Sequence, residues 1–243
     1  MRGGWFLAAV LALPAAAPGQ AALLPSGTIL PISLNRSLNA AKLDPGAPFL
    51  AEVMQNIPGT PVRRRAKVLG HVVEASVRKN GPARLAISFD AVRVHGRLIP
   101  FKAHLRALAS LVEVEEAQIP EEEASRGLTP ETWTTQQIGG DMVYRGGGPV
   151  AQGLTPVGTP APYGILGLPQ AGSGQPCRGV IDGDRQTQAW WLFSTDACGV
   201  YGFDDIRIEH AGRTAPQGEI VLTSPTGRLD LYGGSGLLLR VQR

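Results

Sequence analysis

Catalytic signatures are missing from this sequence. No Gly-x-Ser-x-Gly nucleophile turn, no His-Glu-x-x-His zinc helix and no Gly-x-x-x-x-Gly-Lys phosphate loop occurs. Those absences exclude the commonest motif-borne hydrolase and nucleotide chemistries and leave only sites assembled in space. The four histidines, His71, His95, His104 and His210, are scattered. The two cysteines, Cys177 and Cys198, have no histidine close by. Two thiolates alone cannot complete a tetrahedral zinc site, so neither a metal nor a cofactor is expected. Aromatic residues make up only 6% of the chain, so the core must be built mainly from aliphatic side chains. No long apolar run follows the N-terminal segment, and a membrane-spanning helix needs about 20 such residues.

The N-terminal run itself, residues 5–17, is too short to span a bilayer and is interrupted by Pro14. Met1-Arg2 precedes it. Ala15-Ala16-Ala17 and Gly19-Gln20-Ala21 end it with the small residues that a signal peptidase reads. This three-part pattern predicts a secretory signal over residues 1–21, cleaved after Ala21. No cysteine follows directly, so lipid attachment is not expected. The expected location is periplasmic or extracellular, with no integral membrane segment after cleavage. In such an oxidising compartment Cys177 and Cys198 are expected to form a disulfide. Closing a loop of that length contributes about 3 kcal/mol.

Three regions follow the signal. Residues 22–109 read as strands. Leu85, Ile87 and Phe89 alternate with Ala86, Ser88 and Asp90, the period of a half-buried strand. Val92-Arg93-Val94 meets His95-Gly96 and turns back through Arg97-Leu98-Ile99, which suits a tight hairpin. On the return, Ile99, Phe101, Ala103 and Leu105 face one way and Lys102, His104 and Arg106 the other. Residues 110–175 are acidic and then rich in Gly and Pro, the composition of a linker or long insertion, with one strand expected at 142–144. Residues 176–243 hold short strands around the cysteine pair. The predicted fold is therefore mainly β, barrel- or sandwich-like, with a Gly/Pro-rich connector and a small disulfide-linked β region. Two arrangements remain open: separate domains, or one domain in which residues 237–241 complete the first region's sheet.

Charge is distributed unevenly. Between residues 63 and 106 eleven basic residues face only Glu74 and Asp90, and six glutamates with no Lys or Arg among them follow between residues 113 and 123. Arg63, Arg64, Arg65 and Lys67 are the densest basic cluster. They are candidates for contact with an anionic polymer, acidic lipid headgroups or another protein. The same cluster also reads as a solvated loop, or as a face covered by the chain's own glutamates. Trp190 and Trp191 are adjacent, so in a strand their rings point to opposite faces, one into the core and one outward. An exposed ring would stack on a sugar; the other reading is that the tryptophans pack around the disulfide. Asp182-Gly183-Asp184 reads as a turn, since calcium wants six to eight oxygens. Gly233-Gly234-Ser235-Gly236 has the wrong frame for a nucleophile.

Leu24-Pro25-Ser26-Gly27-Thr28-Ile29-Leu30, Asp44-Pro45-Gly46, Ala51-Glu52-Val53, Lys67-Val68-Leu69-Gly70-His71-Val72 and the Gly-containing hairpin follow one another in a familiar cadence. Over residues 24–105 the chain resembles the C-terminal β domain of TrbI-like conjugation proteins, part of the type IV secretion core, and related exported bacterial proteins. The resemblance implies a barrel-like fold in the cell envelope. The membrane anchor, the long proline-rich region and the amphipathic helix pair of that family have no counterpart here, so a secretion-channel role is not implied.

Together these readings predict an exported, non-enzymatic envelope protein that binds another envelope component, either a protein or an anionic polymer. Nucleic acid is not an expected partner, given export and the lack of a binding module. Two alternatives stand beside it: a carbohydrate-binding module using an exposed tryptophan, and a hydrolase with dispersed Asp, Glu and His.

Overall fold

The computed structural model describes residues 24–79, 81–125, 134–140, 142–144, 149–152, 154–172, 174–177 and 186–242. The expected signal, the Asp182-Gly183-Asp184 turn and Gly146-Gly147-Gly148 lie outside them.

The molecule is mainly β. A first run of strands comprises β1 (Ile29–Leu34), β2 (Leu38–Asn39), β3 (Pro48–Val53), β4 (Lys67–Val77), β5 (Ala83–Val94), β6 (Arg97–Pro100) and β7 (Ala103–Ala109). A helix, α1 (Leu111–Ser125), follows. Then come β8 (Thr134–Gln136), β9 (Met142–Tyr144), β10 (Val150–Gln152), β11 (Thr155–Ala161), β12 (Gly164–Gly167) and β13 (Gln188–Trp191). The chain ends with β14 (Gly199–Tyr201), β15 (Arg207–His210), β16 (Glu219–Ser224), β17 (Asp230–Leu231) and β18 (Gly236–Val241).

The main sheet has the order β14-β7-β18-β1-β3-β4-β5-β16-β15, with β6 also paired to β5. Four strands from the end of the chain, β14, β15, β16 and β18, thus join the sheet made by its beginning. β18 lies between β7 and β1, and β16 lies against β5. β6 and β7 belong to one run broken at Phe101-Lys102. That run pairs with β5 at one end and with β18 at the other, which curls the sheet into a nearly closed barrel. Leu105 N–H donates to Ala211 C=O at 2.8 Å and ties β7 to the segment after β15.

Period-two alternation builds the barrel interior, as the sequence predicts. Leu85, Ile87 and Phe89 are buried in it, together with Ile99, Phe101, Ala103 and Leu105 of the return run. Phe49 packs edge-on against Phe89 with centroids 5.5 Å apart. Its ring lies over Gly70, where a Cβ would come 2.5 Å from Phe49 Cζ, so the residue opposite that ring has no side chain. Alternation slips in β7. Leu105 pairs with Leu239 but Ala107 with Leu238, leaving Arg106 as the extra residue of a bulge. Leu108 therefore points inward, while Ala107 and Ala109 point outward.

Those outward residues are covered. Residues 110–175, read as a linker or insertion with one strand, carry α1 and five short strands. β8 to β12, with β13, form a second sheet in the order β13-β12-β11-β10-β9-β8. Ile29, Ala107, Ala109 and Leu238 on the barrel wall meet Ile165, Trp190, Trp191 and Phe193 of this cover and Val114 and Ala117 of α1 in a second core. β7 is consequently buried on both faces. α1 starts at a serine N-cap: Ser110 Oγ accepts the Glu113 N–H at 3.2 Å, while the Ser110 N–H donates to Tyr201 C=O at 3.0 Å. Cys177 and Cys198 form a disulfide with Cα atoms 6.1 Å apart. No helix among the described residues is long and apolar enough to cross a membrane.

Candidate functional site

The basic run lies in the loop between β3 and β4. The loop is held as a compact unit: Ile57 N–H donates to Val62 C=O at 3.1 Å, and Arg65 N–H donates to Val53 C=O at 2.7 Å. Asn56 Oδ1 accepts the Arg64 N–H at 2.9 Å. Arg65 takes φ +66° to make the return. Facing the loop is the β11–β12 hairpin, whose Tyr163 also has φ +66°. The Arg64 guanidinium stacks 3.7 Å above the centre of the Tyr163 ring and joins the two.

Beneath this contact Gln55, which is buried, links the loop to the second sheet. Its Nε2 donates to Ile165 C=O at 3.1 Å, and its Oε1 accepts the Trp191 N–H at 2.7 Å. Trp191 has φ +52°. Among the described residues, three of the four non-glycine residues with positive φ, namely Arg65, Tyr163 and Trp191, thus gather around one place. Such backbone strain concentrates where surrounding contacts over-determine the chain, often at binding sites. Between loop and hairpin lies a cleft of about 650 Å³, lined by Asn56, Thr60, Pro61 and Arg63 on one side and by Ala161, Pro162 and Leu166 on the other.

The surrounding surface is cationic. Arg63 and Arg65 are exposed and Arg64 is half-buried. Lys67 is ion-paired to Glu52. The hydrogen bond from Lys67 holds the Glu52 carboxyl below the usual carboxylate range; partial burial opposes this, and the Asn35 hydrogen bond and the charges of Lys67 and Arg65 add to it. Val68 pairs with Val92 and Arg93 with Leu98, so Lys67, Arg93 and Leu98 share a row on the outer wall. Arg93 and Arg97 at that hairpin are exposed. Among the described residues, Arg63, Arg64, Arg65, Arg93 and Arg97 take part in no ion pair. Leu50 and Leu98, 43% and 53% exposed, add an apolar element to the same wall.

The other sequence candidates fall elsewhere. Neither Trp190 nor Trp191 is exposed, which corrects the expectation of one outward ring. The left-handed turn at Trp191 takes it out of strand geometry, and the register of β12 against β13 shifts at the same place. Trp190 Nε1–H donates to Gly167 C=O at 3.1 Å, while Trp191 packs edge-on to Phe193 with centroids 6.3 Å apart. Ser235 is fully buried.

The histidines are not brought together. His71 Nδ1 bonds the Asp90 carboxylate at 3.0 Å, and no hydroxyl among the described residues completes a relay with it. His95 sits in the β5–β6 turn with φ +47°. His210 bonds Glu219 C=O and Thr214 Oγ1. His104 is buried, and its pKa is pushed down to about 4, by burial first and then by the charges of Arg240 and Arg213. Asp205 accepts hydrogen bonds from Thr226 and Ser224, which hold its carboxyl low and fix a turn. Among the described residues no group of His, Cys, Asp and Glu is arranged to hold a metal.

Of the acidic stretch, the side chains of Glu113, Glu115 and Glu116 are described. No ion pair among the described residues joins α1 to the basic run. Sequence reading also missed Tyr163 and Gln55. Pro162-Tyr163-Gly164 has turn composition and would have marked the hairpin. A single buried glutamine carries no periodic signal. No protein-family model, no curated protein and no solved structure matches this chain.

Proposed function

We propose that this is an exported, non-enzymatic cell-envelope protein that binds an anionic envelope component, protein or polymer, on the cationic wall around the Arg64–Tyr163 cleft. The observation that carries the reading is the exposed cluster of Arg63, Arg65, Arg93 and Arg97 beside a built cleft, with Glu52 already committed to Lys67. Fixed cations at a concave surface attract and orient anions. Export rests on the signal-like N-terminus, and the resemblance to TrbI-like β domains points to the same compartment. A sugar-stacking role lacks an exposed indole at Trp190 or Trp191, and among the described residues no cluster of His, Cys, Asp and Glu supports a hydrolase.

The test is binding of heparin as a model polyanion and of poly-glutamate as a model acidic polypeptide. Wild type should bind at least one at about 50 mM salt and release it at about 500 mM, as screened contacts do. R63E/R65E should weaken binding at least ~10-fold. Failure of wild type to bind either probe at low salt would overturn the proposal.

A further inference from the structure

The exposed glutamates at the start of α1 and the basic β3–β4 loop stand on different elements of the molecule. α1 begins immediately after β7, and its neighbours are Gly202, Gly234 and Gly236 through Glu113, Leu111 and Val114. The basic loop packs instead on the β11–β12 hairpin through Arg64. Arg97 and the start of α1 lie at opposite ends of the strand run 97–109. At about 3.3 Å per residue that run is roughly 40 Å along the chain, with a bend at Phe101-Lys102, and no ion pair among the described residues joins α1 to the basic wall.

The exposed surface of α1 has a simple pattern. Val114 and Ala117 are buried against the second core. Val112, Glu115 and Glu116, spaced i, i+3 and i+4, share the opposite, exposed side. Val112 is 59% exposed. An apolar side chain flanked by two carboxylates is the complement of the barrel wall, where Leu98 stands in one row with Lys67 and Arg93, and Arg97 lies at the adjoining end of the hairpin. The anionic segment that this chain itself carries therefore matches the cationic face in both charge and apolar content, while the two stand on different elements.

We propose that α1 of one copy docks on the Lys67–Arg93–Arg97 wall of a second copy, so that the chain associates head to tail with itself. The inference rests on that wall being a binding face, and it names the occupant. Because the two patches differ, the contact is heterologous, and it closes into a ring or extends as a filament.

Sedimentation velocity of the purified protein over a range of concentrations tests it. At about 50 mM salt the weight-average sedimentation coefficient should rise with concentration, and about 500 mM salt should weaken the association at least ~10-fold. E115K/E116K and, separately, R93E/R97E should each abolish it. All four positions are exposed, so folding is spared; E115Q/E116Q, which removes charge without reversing it, should weaken association by a smaller factor. Combining both reversals in one chain should restore association. A wild type that stays monomeric at every concentration at low salt overturns the proposal, as does association that neither reversal changes. Heparin binding separates this from the broader reading. E115K/E116K should bind heparin as wild type does. A monomeric wild type that still binds heparin removes self-docking while leaving the anionic partner in place.

Discussion

The barrel and its cover solve the problem of burying a sheet in different ways. The barrel uses long, regularly alternating strands whose apolar side chains fill one interior; β4 and β5 alone cover residues 67–77 and 83–94. The cover uses short strands with little alternation. β11, Thr155–Ala161, contains two prolines and buries none of its residues fully. The cover is attached through a few large side chains and a set of single polar ties. Arg106, the bulge residue of β7, donates to Ala197, Gln170 and Thr195 carbonyls at 2.9, 2.6 and 3.2 Å. Gln188 Oε1 accepts the Ile29 N–H at 3.0 Å. The difference teaches that non-directional burial holds the barrel, whereas specific contacts between distant residues hold the cover and position the cleft.

The sharpest way to break this comparison is to cut one large side chain from each core. Trp190→Ala should cost about 3–5 kcal/mol, and Ile87→Ala about 2–5 kcal/mol. Their patterns should differ. Under native-state hydrogen exchange, Trp190→Ala should release the cover amides first and leave those of β4 and β5 protected, while Ile87→Ala should lower protection everywhere. Equal loss across both regions in the two variants would mean that barrel and cover unfold as one unit.

Acid should act on the barrel wall through His104. The folded-state pKa, about 4, lies below the ordinary value of 6.5. The unfolded chain therefore takes up a proton on His104 before the folded protein does. Stability is full above pH 6.5 and falls as pH drops toward 4, by on the order of 3 kcal/mol. His104→Leu should flatten denaturation midpoints across that window; an unchanged slope would assign the acid sensitivity to other groups.

The smallest expected effect sharpens the attachment of α1. Ser110→Ala removes the helix cap and should cost about 1 kcal/mol. Protection of the amides in the first turn of α1 should fall, with little change in the barrel.

Legibility followed the same division. Leu85-Ile87-Phe89 and the return through Ile99, Phe101, Ala103 and Leu105 read correctly, because a half-buried strand writes its own period. α1 was not read, although Ser110 with Glu113 three residues on is a helix-start signal, because Pro120 and the run of glutamates made the stretch look like a connector. β11 was hidden because Pro156 and Pro160 argue against a strand inside a sheet, yet it lies there, paired with β10 on one side and β12 on the other. Of the candidate site, Arg63, Arg64, Arg65 and Lys67 were visible as a charge cluster. Their partners, Tyr163 across the cleft and Gln55 beneath it, were not.

What the sequence determined by itself is local or compositional. Period-two alternation made the barrel wall, the two cysteines had only each other as partners, and the uneven order of bases and acids placed opposite charges on different elements. What only the tertiary structure decided depends on residues far apart in the chain. β18 enters between β7 and β1, the sheet closes, and both tryptophans are buried where alternation places one ring outside. Gln55 meets Trp191 across a separation of 136 residues, and Arg64 meets Tyr163. Such contacts leave no periodic trace, because each depends on the packing of a whole sheet on another and on no neighbour within a turn or strand.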